Sequence, residues 1–416
     1  MIRLIYIINL MTKIKYEVVR TMTVEEINTS ENNVENITNT DDKVSAKTEN
    51  PTKNRMLEQD IAKGIAIILV MALHTLTITK GIYNILGGLF GFIMPFYFLM
   101  AGYNHRPYRY SYKEIILKRL KQIGIPFLTY SISITLISGA YYMIAEGYTF
   151  KMVLDSYLTL ILTRSFALSI GIHQTTGPYS CIMVGWFIIM LLMASLIFYA
   201  VVDYALSKPG RFISIFTGLL IVTMIFAHFN IVLPLHICEA PAVAAIMLLG
   251  ALFGQKELLS SKFKKWIIIV NSIVAYALFI ILAILFQGSG FIAGGSMWDK
   301  NIKEWAVLLS AVFAVIGTYP FVHFCRLLVK TGFFGKALAW CGNNSMRLLF
   351  LHGIVQLFIC AILGLKPFRM AYFSNENDFR TFYVLALEIV VSVLVIIAID
   401  FFKKLIKKMK TKKSNT

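Results

Sequence analysis

The residues best suited to chemistry lie in the stretch DIAKGIAIILVMALHT, which runs from Asp60 to Thr75. Lys63 and His74 are eleven positions apart, so on a helix they share one face, about 16 Å apart along the axis. Asp60 lies three residues before Lys63, on roughly the same face. An ionisable residue inside an apolar span indicates function, and neutral imidazole is the commonest general base near neutral pH. We predict His74 as a general base; the alternatives are a packed histidine and, for Lys63, a lysine reaching the membrane boundary.

A second group of reactive residues opens a later apolar run, in KRLKQIGIP (118–126). Lys118 and Lys121 are three positions apart on one helix face, and Arg119 stands beside them. Clustered Lys and Arg side chains bind phosphate groups. The stretch therefore predicts a phosphate site on the cytoplasmic side, with charge that only fixes membrane topology as the alternative.

The stretch WCGNNSMRLLFLHG (340–353) combines helix-capping residues with an intramembrane histidine. Asn343, Asn344 and Ser345 are typical of a helix start, where their side chains cap free N–H groups. His352 follows Ser345 by seven residues, or about two turns, and is therefore on the same face. His352 has either a structural supporting role or a functional one. Arg347 is expected to face the bundle interior or the membrane interface.

Two further residues are weaker candidates for substrate contacts. Trp186 in MVGWFII (183–189) is either a pocket wall or an interfacial aromatic. Glu239 in HICEAPA (236–242) orients a catalytic histidine, binds an acceptor hydroxyl, or is an interfacial carboxylate without function. The five cysteines show no metal-binding spacing, so no metal is expected.

The elements that must position these residues are membrane helices. The chain has 416 residues, of which 57% are hydrophobic and 15% charged, whereas soluble domains are about 45–50% apolar and about 25% charged. The sequence therefore predicts an all-α integral membrane protein, multi-pass in the plasma membrane. The net charge of +18 resides largely in short loops, as the positive-inside rule requires, so nucleic acid is not an expected partner.

Ten apolar runs are long enough to cross about 30 Å of hydrocarbon. They are 57–79, 83–103, 119–144, 181–203, 212–233, 238–255, 265–287, 305–326, 343–364 and 381–402. Basic loops alternate with loops poor in Lys and Arg, which predicts a bundle with both termini cytoplasmic. Residues 1–55 are expected to form a disordered polar tail, 56–405 the transmembrane domain, and 406–416 a basic cytoplasmic tail.

Taken in order, these motifs resemble the acyltransferase-3 family of membrane O-acyltransferases, especially its polysaccharide and fucose O-acetylase-like members. Such proteins carry a basic residue, ten intervening positions and a histidine, here Lys63 to His74. A segment like PFYFLMAGY (95–103), an RxxR-like motif and a segment like GNNSMRLLFLH (342–352) follow in family order. The resemblance covers roughly 55–405. It departs at Lys63, where arginine is often found, and at KRLK, which replaces a strict RxxR.

The resemblance implies transfer of an acyl group, with acetyl expected, from cytoplasmic acyl-CoA to a hydroxyl of a cell-surface or lipid-linked carbohydrate. It implies that the basic cluster, with Asp60 and Lys63 near the donor entrance, holds the CoA phosphates, and that the thioester reaches His74. Asn343, Ser345 or His352 are then candidates to stabilise the oxyanion. Expected partners are acyl-CoA, the glycan acceptor and membrane lipids. The main alternative is a glycan or lipid transporter or flippase, and a membrane sensor without chemistry is a third.

Overall fold

The computed structural model describes residues 56–76, 91–107, 111–145, 147–158, 186–229, 231, 233–259, 263–285, 303–364 and 379–414. The predicted N-terminal tail, 1–55, lies outside the described residues, as does most of the predicted loop 145–180. The described chain is helical and contains no β-strand in these ranges. This agrees with the all-α membrane class predicted from composition.

Thirteen α-helices follow one another through the described ranges. They are α1 (Leu57–Thr75), α2 (Ile93–Tyr103), α3 (Tyr112–Arg119), α4 (Ile125–Ala145), α5 (Phe150–Leu158), α6 (Trp186–Leu206), α7 (Pro209–His228), α8 (Ala240–Gln255), α9 (Lys265–Leu285), α10 (Lys303–Leu328), α11 (Phe333–Asn343), α12 (Ser345–Ile362) and α13 (Arg380–Ser414). A π-helical turn, Leu120–Gly124, joins α3 to α4. Short 3₁₀ turns, Pro234–His236 and Val329–Thr331, precede α8 and α11.

Within the described residues, seven helices are long and apolar enough to cross a membrane: α4, α6, α7, α9, α10, α12 and α13. The other three predicted spans correspond to α1, α2 and α8. The described lengths of α2 and α8 are 11 and 16 residues, and α1 carries Glu58, Asp60 and Lys63 among its 19 residues. The structure therefore shows a membrane helical bundle, whereas the count of ten spans and the sidedness of the termini stay predictions.

Glycines allow the central helices to pack backbone against backbone. A methyl group on Gly64 of α1 would overlap the backbone of Leu338 in α11, and one on Gly342 of α11 would overlap the backbone of Asp60. Gly102 of α2 fits against α8 in the same manner. Close approach through small residues is how membrane helices associate, because lipid provides no hydrophobic force between them. Gly102 is therefore a packing contact between α2 and α8.

Two features differ from the predicted organisation. Helix α11 occupies a stretch whose first residues were expected to form a basic loop, and it packs along α1. Helix α13 has 35 residues, about 52 Å at 1.5 Å per residue, so it is longer than the bilayer core and carries the basic residues after 402 as continuous helix. The position of α11 is explained by its packing along α1, whereas the described side chains of α13 beyond 402 are exposed, so packing between elements does not set that end.

Candidate active site

The structure brings together the two histidines that the sequence predicted to lie within the membrane. The ring centroids of His74, near the end of α1, and His352, in the middle of α12, are 5.7 Å apart, with the ring planes tilted by 34°. His352 is fully buried and His74 partly buried. Although they are 278 positions apart in the chain, the rings form one imidazole pair inside the helical bundle.

The tautomer of His352 follows from its hydrogen bond. Its Nδ1 lies 2.7 Å from the carbonyl oxygen of Leu349, one turn earlier in α12. Because that oxygen can only accept, Nδ1 must carry the proton. In neutral His352 the lone pair is therefore on Nε2, which is ready to accept a hydrogen bond or a proton. A neutral His352 consequently cannot donate from Nε2 to an oxyanion.

The last turn of α1 is held by two other helices. The side chain of Gln356 in α12 donates from Nε2 to the carbonyl oxygen of His74 at 3.4 Å. Thr75 Oγ1 donates to Glu388 Oε2 in α13 at 2.6 Å and also lies 2.8 Å from the carbonyl oxygen of Met71. Carbonyls in the last turn of a helix lack intrahelical partners, so these contacts fix a segment that would otherwise fray. They place His74 opposite His352.

Lys63 and Asp60 lie near the other end of α1. Lys63 Nζ is 4.0 Å from Asp60 Oδ1, with about a quarter of the lysine side chain exposed and Asp60 buried. Tyr97 of α2 donates its hydroxyl to the backbone carbonyl of Lys63 at 2.9 Å. Eleven residues of continuous helix keep Lys63 about 16 Å along the axis from His74. The predicted separation therefore holds, and Asp60 is close enough to offset the charge of Lys63.

The basic residues 118–121 divide into two environments. Lys118 and Lys121 are exposed, as a phosphate-binding cation requires. Arg119 is half-buried against α6, where it donates to the hydroxyl of Tyr199, and its guanidinium carbon lies 5.0 Å from the centre of that ring. The contact joins the α3–π-turn segment to α6. Of the three predicted phosphate ligands, Arg119 is therefore the one engaged in helix packing.

The polar start of α12 has a different local role from the predicted one. Asn344 is the residue before α12, but its side chain makes no capping bond to the helix N-terminus. Instead its Nδ2 donates to the carbonyl of Trp340 at 3.0 Å, and its Oδ1 accepts from Arg347 at 3.0 Å. Because α11 ends only one residue earlier, the Asn344 side chain hydrogen-bonds to the C-terminal end of α11 instead. The capping prediction was wrong for Asn344.

Arg347 pairs with α13. Its two terminal nitrogens each lie 2.8 Å from an oxygen of Asp400. Asn343 is exposed and Ser345 half-buried at the start of α12, about 10 Å or more along the helix from His352. The structure therefore separates Asn343 and Ser345 from the histidine pair, while Arg347, which was expected to face the bundle interior or the membrane interface, is about a third exposed and contacts α13.

Of the two weaker candidates, Glu239 contacts a different histidine. Glu239 is fully buried before α8, and its Oε1 is 3.5 Å from His236 Nδ1. The histidine beside this carboxylate is therefore His236, not His74. Trp186 is the first residue of α6, and its side chain lies outside the described residues.

Sequence reasoning missed Glu388 and Gln356. Both are buried, at 0% and 3% exposure, and both contact the turn of α1 that carries His74. A signal was available for Glu388, since a carboxylate within the apolar run LALEIVVSVLV (385–395) is a functional hypothesis by default. Gln356 offered no such signal in the sequence, because its partner is the backbone carbonyl of His74, which is far away in the chain.

Comparison with known protein families identifies the family of this chain. The family model described as an acyltransferase domain, of the acyltransferase-3 type, matches residues 57–400, from the start of α1 to Asp400 in α13. Searches of curated proteins and of solved structures gave no match. The matched segment contains the imidazole pair and all three helices that hold it. The chain is thus a membrane protein that belongs to the acyltransferase-3 family.

Proposed function

We propose that this membrane acyltransferase moves an acyl group, with acetyl expected, from cytoplasmic acyl-CoA to a hydroxyl of a cell-surface or lipid-linked carbohydrate. The observation that carries the proposal is the meeting of His74 and His352 inside the bundle, 5.7 Å apart. A hydroxyl is a poor nucleophile until a base takes its proton. Two imidazoles in one membrane site supply such a base without a buried permanent charge.

His74 is the proposed general base. Its imidazole takes the proton of the acceptor hydroxyl as the oxygen attacks the thioester carbonyl carbon. The new C–O bond forms, the C–S bond breaks, and the CoA thiolate leaves and takes the proton back from the imidazolium. His352 accepts a hydrogen bond at Nε2, because its Nδ1 is occupied by Leu349, so it holds the acceptor or the protonated His74 and does not supply an oxyanion hole.

The donor is proposed to enter from the side of Lys63. The extended pantetheine arm matches a separation of about 16 Å between Lys63 and His74 on one helix face. Lys118 and Lys121 are exposed and are proposed to bind the CoA phosphates, since ammonium groups bind phosphate as point charges. Arg119 contributes by holding this segment on α6 through Tyr199.

The test uses purified protein in lipid nanodiscs with radiolabelled acetyl-CoA and glycan-bearing membranes, and the labelled product is identified by mass spectrometry. His74→Ala is expected to reduce transfer by about 10²–10⁴-fold while acetyl-CoA binding is retained. His228→Ala, at an exposed position at the end of α7, is the matched control and is expected to stay active. Near-normal transfer by a correctly inserted His74→Ala variant would exclude the general-base role. Glycan movement across the membrane without acyl transfer would favour the transporter alternative.

A further inference from the structure

We propose that Gln356 and Glu388, together with His352, form a binding site for the hydroxyl groups of the acceptor beside the last turn of α1. This inference rests on the proposed function and deepens it by naming residues that select the acceptor. The side chains of all three contact His74 or Thr75 in this turn, and each carries a buried hydrogen-bond acceptor without a hydrogen-bond partner among the described residues. A ligand that satisfies them must donate several hydrogen bonds.

The first acceptor is Oε1 of Gln356. The amide atom 3.4 Å from the carbonyl oxygen of His74 must be the nitrogen, because that carbonyl can only accept. The amide orientation is therefore fixed by chemistry. It leaves Oε1 buried and without a partner in the described part of the chain.

The second acceptor is Nε2 of His352. Since Nδ1 donates to Leu349, Nε2 carries the lone pair, and it too is buried without a partner among the residues described. Gln356 follows His352 by four positions in α12, so the two side chains are on one face, about one turn apart. That face is the one that meets His74.

The third acceptor is Oε1 of Glu388 in α13. Its sister atom, Oε2, lies 2.6 Å from the hydroxyl oxygen of Thr75, which fixes the carboxyl group beside the residue that follows His74. Oε1 is buried, and no described residue hydrogen-bonds to it. Helices α12 and α13 therefore each direct acceptor-bearing side chains to the same two residues of α1.

The chemistry of the ligand follows from what these atoms lack. Buried polar atoms in proteins are almost always hydrogen-bonded, and an unpaired one in an apolar interior is costly. A lone buried hydroxyl such as that of Ser138 can rotate its proton to a carbonyl one turn back in its helix, but a lone pair cannot be redirected in this way. Phosphates offer mainly acceptors and acyl chains offer no donors. Neighbouring hydroxyls of a carbohydrate supply several donors on one small face.

Pantetheine also carries two amide N–H donors, so donor and acceptor must be separated experimentally. The probe is octyl β-D-glucoside, below its micelle-forming concentration, compared with its tetra-O-methyl ether, which keeps the ring and alkyl chain but has no O–H donors. Thermal unfolding of the protein in nanodiscs reports binding of each glucoside. A filter assay with radiolabelled acetyl-CoA reports donor binding separately.

The free glucoside is expected to raise the melting temperature and the methyl ether is not. Gln356→Met, which keeps side-chain shape and removes the amide, is expected to weaken apparent glucoside affinity about tenfold. Glu388→Met, which removes both carboxyl oxygens, is expected to weaken it by at least as much. Acetyl-CoA affinity is expected to be unchanged in both variants. If Glu388→Met fails to fold, Gln356→Met carries the test alone.

Asp203→Asn is the matched control, because it replaces a carboxylate that contacts His105 at 2.9 Å in another part of the bundle. It is expected to retain the discrimination between the two glucosides. The inference is overturned by equal or absent stabilisation by both glucosides, by unaltered glucoside affinity in the variants, or by parallel loss of acetyl-CoA binding. If the glucosides are discriminated but wild-type protein neither binds acetyl-CoA nor transfers its acyl group, the proposed function fails and the hydroxyl site remains.

Discussion

Gly64→Ala is the substitution whose consequence can be worked most directly from the structure. Gly64 lies midway along α1, with the backbone of α11 directly against it. The added methyl carbon would overlap the carbonyl oxygen of Leu338 and lie 2.8 Å from its carbonyl carbon and 3.1 Å from Gly342 N, whereas ordinary contacts begin at 3.4 Å. All three atoms belong to helix backbone, so no side chain can rotate away. Helices α1 and α11 must separate by roughly 1 Å.

The separation is transmitted to the imidazole pair. Helix α11 ends at Asn343 and α12 begins at Ser345, so a displacement of α11 pulls on the helix that carries His352. A misplacement of about 1 Å in an active site can reduce the rate about 10²-fold. Overpacking destabilises by about 1–3 kcal/mol, against a gain of about 0.5–1 kcal/mol when alanine replaces glycine in a helix. We expect a net destabilisation and a fall in kcat of about tenfold to hundredfold.

Gly218→Ala provides the matched control, because nothing lies within 4 Å of a methyl group at that position in α7. It is expected to leave kcat unchanged and to preserve or slightly raise the melting temperature. Both variants are compared in nanodiscs by thermal unfolding and by acyl transfer from radiolabelled acetyl-CoA. A Gly64→Ala protein with the melting temperature and kcat of wild type would refute the backbone contact between α1 and α11 and the coupling derived from it.

Three further predictions address separate parts of the molecule. Reversing charge at Lys118 and Lys121 is expected to raise KM for acyl-CoA about tenfold with little change in kcat; steady-state kinetics at fixed acceptor tests this, and an unchanged KM removes the phosphate site. Glu58→Gln replaces the carboxylate that Arg326 contacts at 2.9 Å with a neutral amide. Chemical denaturation should show that the free energy of unfolding falls by about 1–2 kcal/mol, a value between those of exposed and of buried ion pairs. Thr75→Val is expected to lower kcat severalfold and Thr75→Ser to restore it, because only the hydroxyl holds Glu388; equal activity in both variants would contradict that role.

Sequence reasoning reached the membrane class and the family because both depend on local properties. Hydropathy over about 20 residues reports a membrane helix whatever its neighbours are, and the spacing from Lys63 to His74 is a property of one helix. Hydropathy does not locate a helix boundary where packing between helices fixes it. Asn344 was predicted to cap α12, but it contacts α11 and Arg347, because the two helices meet at that residue.

The sequence by itself determined that this is a helical membrane protein of the acyltransferase-3 type, with a lysine and a histidine on one face of a single helix, α1. Only the tertiary structure decided what surrounds that histidine. His352, Gln356 and Glu388 are 278 to 314 positions from His74 in the chain, and nothing in the local pattern of α12 or α13 states which helix they face. Interhelical contacts depend on rotation and register, which small residues such as Gly64 and Gly342 permit. The acceptor-rich site at the end of α1 therefore exists only in the packed bundle.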